Sequence, residues 1–123
     1  MLIQIDFNSP EALYRELCHQ IILGSAMNEL REGDSLPSVR ELASTIGINM
    51  HTVNKAYSIL REEGYLTVDR RRGAVVFIDH EKINAREKLR EELRIALAKA
   101  NCKDITKEDV HALIDEIYEE YQT

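Results

Sequence analysis

Apolar and polar residues alternate over Leu2-Ile3-Gln4-Ile5-Asp6-Phe7, which predicts a short strand with Ile3, Ile5 and Phe7 on one face. Ser9-Pro10 then reads as a helix start, because Ser caps well and Pro at the first helical position forfeits no hydrogen bond. The helix is expected from Pro10 to Met27. Leu13, Leu17, Ile21 and Met27 lie along its inner face at three-to-four-residue spacing, with Tyr14 and Ile22 beside them. Asn28 suits a left-handed helix end. Glu32-Gly33-Asp34 is a turn, and Leu36-Pro37 leaves it extended.

Ser38-Val39-Arg40-Glu41 has the form of a capping box, with the Ser hydroxyl on the third helical N–H and Glu41 reaching back to the Ser backbone. Val39, Leu42, Ala43 and Ile46 form the buried side of the short helix that follows, and Gly47 ends it. Asn49 caps the next helix, expected to run to Glu63 and stop at Gly64, with Val53, Ala56, Tyr57 and Leu60 inward. Two helices joined by a tight glycine-containing turn make a helix-turn-helix. Tyr65-Leu66-Thr67-Val68 and Ala74-Val75-Val76-Phe77-Ile78 flank the charged tip Asp69-Arg70-Arg71-Arg72-Gly73, as in a hairpin. The order of strand, three helices and hairpin is that of a winged helix.

From Glu81 to Asn101 the pattern is again helical, with Ile83, Leu89, Leu93, Ala96, Leu97 and Ala100 on one side. Residues 101–105 connect it to a last helix capped by Thr106, whose stripe is Val110, Leu113, Ile114, Ile117, Tyr118 and Tyr121. The expected fold class is mainly α with a small β-hairpin. Residues 1–79 form a winged helix-turn-helix domain and residues 80–123 a two-helix tail. Two such helices cannot bury both stripes against each other, so a second copy is expected to cover them, the alternative being that they fold back on the chain's own domain. Leu89, Leu93, Leu97, Leu113, Ile114, Ile117 and Tyr121 are the dimerisation candidates.

The chain has 123 residues, 44% hydrophobic and 31% charged, which fits an ordinary soluble protein with one real core. No stretch has the roughly 20 apolar residues of a membrane span. The first residues lack a basic region followed by a long apolar run, so no signal peptide is expected and the location is taken as cytoplasmic. Cys18 and Cys102 stand far apart and read as two reduced, buried small hydrophobes. His19, His51, His80 and His111 are scattered, and no metal or cofactor is expected. No glycine-rich phosphate loop or nucleophile motif is present, which argues against an enzyme. The net charge of −6 is shared evenly: residues 1–80 and residues 81–123 each carry 8 basic and 11 acidic side chains. Nucleic-acid binding would therefore need a local basic face, since phosphate neutralisation drives it.

Leu36-Pro37-Ser38-Val39-Arg40-Glu41-Leu42-Ala43, Thr52-Val53, Lys55-Ala56-Tyr57, Leu60 and Glu63-Gly64-Tyr65-Leu66 stand in the order and spacing of the GntR family of bacterial regulators. The resemblance spans residues 3 to 78. The short helical tail and the Ile-Gln-Ile-Asp opening are similar to the YtrA subfamily. That resemblance implies DNA binding, a dimerising tail and control of transport operons, often by repression of the regulator's own promoter. The chain departs from the family at Asn49-Met50, where many members have Ser-Arg, and at Asn54, where an arginine is common. At the wing, Arg71 replaces the first glycine of a Gly-x-Gly.

Candidate DNA contacts follow. Asn49, Met50, His51, Asn54 and Lys55 lie off the inner face of the expected recognition helix, with Thr52 at its edge. Asn can pair with adenine, and Met or the Thr methyl can touch a thymine methyl, so a site with important A·T pairs is expected. Arg40 resembles the family arginine that reaches DNA, and Ser38 sits at a helix N-terminus that can face a phosphate. Arg70, Arg71 and Arg72, with Gly73, form a tip suited to the minor groove. The expected function is an operator-binding regulator, a repressor acting as a homodimer on an inverted repeat. The competing reading is a winged helix that binds protein and not DNA, which the net charge and the missing recognition arginine favour. No pocket for an effector is marked; Asp79 to Ile83 is where one would be sought.

Overall fold

A computed structural model describes residues 13–80 and 84–122. The expected N-terminal strand, the Ser9-Pro10 helix start and Ile83 lie outside the described residues. The chain divides into two compact units, Met1–His80 and Glu81–Thr123.

The first unit contains α1 (Leu13–Ala26), α2 (Val39–Ile46), α3 (Met50–Glu62), β1 (Leu66–Asp69) and β2 (Gly73–Val76). Its core is built as the apolar spacing dictates. Leu17 and Ile21 of α1 meet Val53, Ala56 and Leu60 of α3, all fully buried. Leu42 and Ala43 join from α2, Leu30 and Leu36 from the intervening loop, and Leu66 and Val76 from the strands. Val39 and Ile46, expected to be buried, pack only partly against this cluster.

Caps set the helix ends. The Ser38 hydroxyl accepts from Glu41 N–H at 3.1 Å. The reverse half of the expected box is not made to the backbone: the Ser38 hydroxyl donates to the Glu41 carboxylate at 3.3 Å. Gly47 ends α2 in the left-handed region at φ +72, which a side chain would strain. The Asn49 side chain caps α3 by accepting from His51 N–H at 2.8 Å. Asn28, at φ +61, follows α1 as expected.

β1 and β2 pair antiparallel, Leu66 with Val76 through Asp69 with Gly73. β2 is held on its other edge as well. Gly33 N–H donates to Val76 O, Val76 N–H to Asp34 O and Leu36 N–H to Ala74 O, at 2.8 to 2.9 Å. The loop before α2 thus acts as a third strand and fixes the hairpin to the helices. Two-stranded hairpins alone are marginal in water; this edge, together with Leu66 and Val76 in the helical core, supports the hairpin.

Cys18 is buried and its thiol lies 3.5 Å from Ala56 O. Burial, and then the Glu63 charge, push that thiol up to about 11, which keeps it protonated and inert. Cys102 corrects the sequence expectation: it is exposed, at the C-terminal end of a helix that has no buried residue.

The second unit is α4 (Ala85–Cys102) and α5 (Lys107–Tyr121). Thr106 and Asp109 form a full capping box at the start of α5, each side chain accepting from the other residue's N–H. Among the described residues, no helix is long and apolar enough to cross a membrane.

Candidate DNA interface

The sequence of α3 divides its surface. Val53, Ala56, Tyr57 and Leu60 face the core, so Met50, His51, Asn54, Lys55, Ser58 and Arg61 are left exposed. Thr52 lies at the boundary, partly exposed. Asn54, Ser58 and Arg61 follow one another at helical spacing on the side of α3 that looks toward the hairpin. Together with Ser38 and Val39 at the start of α2, and Thr67, Val68, Gly73 and Ala74 of the hairpin, they line an open concavity of about 290 Å³. One face therefore gathers the start of α2, the polar side of α3 and the hairpin.

Tyr57 fixes two of those parts. Its hydroxyl donates to Pro37 O at 2.7 Å, tying α3 to the residue before the Ser38 cap. Burial, and then the Glu41 charge, raise its phenol above the ordinary value, so it remains a donor at neutral pH. Replacing Tyr57 with Phe should cost about 1 kcal/mol of stability, the net value of one such bond. Urea unfolding of the two proteins measures this, and an unchanged midpoint would show that the bond holds nothing in place.

The hairpin tip is shaped by Asp69. Its carboxylate accepts from the backbone N–H of Arg71 at 2.8 Å and of Arg72 at 3.2 Å. Those two bonds, with the Arg72 charge adding to them, hold its carboxyl below the ordinary value. Gly73 closes the turn at φ +74, a conformation that explains why the second wing glycine is kept. The three arginines then diverge. Arg72 donates to Gly33 O at 2.8 Å and lies 3.9 Å from Asp69 Oδ2, so it clamps the tip to the loop. Arg70 and Arg71 are exposed, and their guanidinium groups make no bond among the described residues.

The other expected contacts are also placed. Ser38 and Arg40 are exposed at the start of α2. Asn49 is a cap, with its amide oxygen committed to His51 N–H. Met50 is 45% exposed at the first turn of α3. Lys55 is exposed but turned toward α1, its ammonium 4.1 Å from the centre of the Tyr14 ring. Ser58 and Arg61 were missed by the sequence reading. Their signal was present, since both repeat the Asn54 position at helical spacing, but only the hairpin's location shows that this side matters. In the second unit, Leu89, Leu93, Leu97, Leu113, Ile114 and Ile117 are 43 to 54% exposed. Tyr121 is partly covered by an edge-on contact with Tyr118.

A helix-turn-helix whose second helix shares a face with an arginine-tipped hairpin defines a winged-helix DNA-binding protein. Residues 10–76 match the profile of the bacterial regulatory proteins of the gntR family, and the chain belongs to that family of DNA-binding transcription regulators, not of enzymes. Over 119 residues it is 33% identical to the HTH-type transcriptional repressor YtrA of Bacillus subtilis, covering 94% of this chain and 92% of that one. It is similar in structure to YtrA from Sulfolobus acidocaldarius, a GntR-family transcription factor, with 44% identity, a TM-score of 0.66 and 80% and 99% of the two chains covered. A transcriptional antiterminator from Listeria monocytogenes superposes over 98% of this chain and 92% of its own, with a TM-score of 0.85 and 26% identity. The chain is thus a YtrA-like GntR regulator.

Proposed function

We propose that the protein binds, as a homodimer, an operator of two inverted half-sites and represses transcription there, acting in the cytoplasm. Residues 1–79 are the DNA-binding domain and residues 80–123 the dimerisation tail. The observation that carries this reading is the single concave face shared by the start of α2, Asn54, Ser58 and Arg61 of α3, and the hairpin. Repression is favoured by the Bacillus subtilis relative, which is named a repressor.

In this reading α3 enters the major groove by its N-terminal half, and the hairpin tip follows the adjacent minor groove. Asn54 is the base reader. Reading adenine needs both the oxygen and the nitrogen of an amide, and the Asn49 oxygen is spent on its cap. Met50 and the Thr52 methyl contact thymine methyl groups. Ser38, with the α2 N-terminus, and Arg40, His51 and Lys55 face phosphates, the last after leaving Tyr14. Arg70 and Arg71 supply the basic tip, and Arg72 and Gly73 hold it in shape. These local cations offset the phosphate charge at the interface, while the acidic total acts mainly on long-range steering.

Selection of bound fragments from a random DNA pool tests the reading. Two inverted, A·T-containing half-sites about one helical turn apart are the expected outcome. A single unpaired motif, or no enrichment, would overturn it. On the selected site, Asn54→Ala should cost about 1–3 kcal/mol and relax preference at one base pair, with little change on nonspecific DNA. Equal losses on both DNAs would make Asn54 a backbone contact.

A further inference from the structure

The two tail helices differ in charge as sharply as they agree in apolar pattern. α4 carries five basic and three acidic residues, and α5 one basic and six acidic. The charges are placed beside the stripes. Arg86, Arg90 and Arg94 recur every four residues along one edge of the Leu89–Leu93–Leu97 stripe. On α5, Asp109, Glu116 and Glu120 lie along the edge of the stripe next to Leu113 and Ile117. Arg90 and Arg94 are about 6 Å apart along the helix axis, as are Glu116 and Glu120, because each pair is four residues apart. Neither helix buries a residue, so the stripe of one is not covered by the other within the chain.

We propose that the dimer pairs crosswise: α4 of one protomer packs on α5 of a second copy, with the arginine edge of the first against the acidic edge of the second. This deepens, and rests on, the homodimer reading above. The apolar stripes drive association, and the charges choose the pairing. Packing α4 antiparallel on α4 of the second copy would bring two arginine edges together, and α5 antiparallel on α5 two acidic edges. Only the crossed arrangement meets opposite charge at both contacts of a two-fold dimer. Within one chain, Arg86 and Arg94 lie 3.9 and 3.6 Å from Glu87 and Glu91, but these pairs are largely exposed and hence weak enough to be exchanged.

Charge reversal in the full-length protein tests this by sedimentation equilibrium. One variant carries R90E and R94E, a second E116R and E120R, and a third all four changes. Each two-site variant should dissociate about tenfold or more readily than the parent at low salt, since four attractive pairs per dimer become repulsive. The difference should shrink at high salt. An equimolar mixture of the two variants, and the four-site variant alone, should regain parental affinity, because both restore opposite charge at the crossed contacts. Unchanged dissociation of the two-site variants would overturn the crossed pairing while leaving the dimer intact. Weakening without rescue in the mixture or in the four-site variant would overturn it too. A parent that is monomeric at micromolar concentration would instead sink the homodimer reading, and the pairing with it.

Discussion

Changing Arg70 and Arg71 together to alanine should weaken DNA binding roughly a thousandfold at ~0.1 M salt, on operator and nonspecific sequences alike. The proposed dimer would present four such guanidinium groups, all exposed and none bonded among the described residues. Each neutralised phosphate contributes about 0.9 to the slope of log affinity against log salt. Four contacts together then contribute about 3 to 4 in slope, and a factor in the thousands between ~1 M and ~0.1 M salt. Titrations at several salt concentrations read both quantities. Arg72→Ala should behave differently. It removes the clamp on Gly33 O and leaves the two outer cations, so it should lower affinity with a smaller change in slope. An unchanged slope in the double variant would remove the wing from the interface.

The second large effect is expected in the tail. Leu93 stands in the middle of the exposed α4 stripe, 43% exposed in the single chain. In a two-fold dimer it occurs twice, and with less than half of its surface left to cover each lost leucine forgoes roughly 1 kcal/mol of burial. A carboxylate at the same place adds a desolvation cost. Leu93→Glu should therefore weaken dimerisation by more than about a thousandfold, equivalent to ~4 kcal/mol. Light scattering at micromolar concentration should find a monomer. Binding to a two-half-site operator should fall to that of one half-site, because the second contact no longer benefits from a tethered, roughly millimolar effective concentration. The first unit should keep its unfolding midpoint, since no core residue is touched. A variant that still dimerises would show that α4 is not the interface.

How much of this was legible in the sequence depends on the range of the interaction. The Ser38, Asn49 and Thr106 caps, the Gly47 stop and the hairpin around Gly73 were all readable, because each is decided within a few residues. So were the inner faces of α1 and α3, since burial imposes its period directly on the order of side chains. The helical pattern makes Lys55 an outward cation, but Tyr14, 41 positions earlier in the chain, turns it aside. Three tip arginines looked equivalent until Gly33, far away in sequence, distinguished Arg72. Ser58 and Arg61 drew no notice because the side of α3 they occupy gains meaning only from the hairpin beside it. Cys102 has the chemistry of a core residue, since free cysteine is usually buried, but its helix has no core of its own.

By itself, then, the chain order settled the caps and stops of the helix-turn-helix, the hairpin and the family, which rest on short-range hydrogen bonding and on the spacing of apolar residues; it placed the start of α4 at Glu81, whereas Asn84 at φ +75 puts it at Ala85. Which cations stay available, and which polar side of α3 shares a face with the wing, were decided only in three dimensions. Those outcomes depend on contacts between residues distant along the chain, such as Tyr57 with Pro37 and the loop before α2 with β2, and no local pattern encodes them.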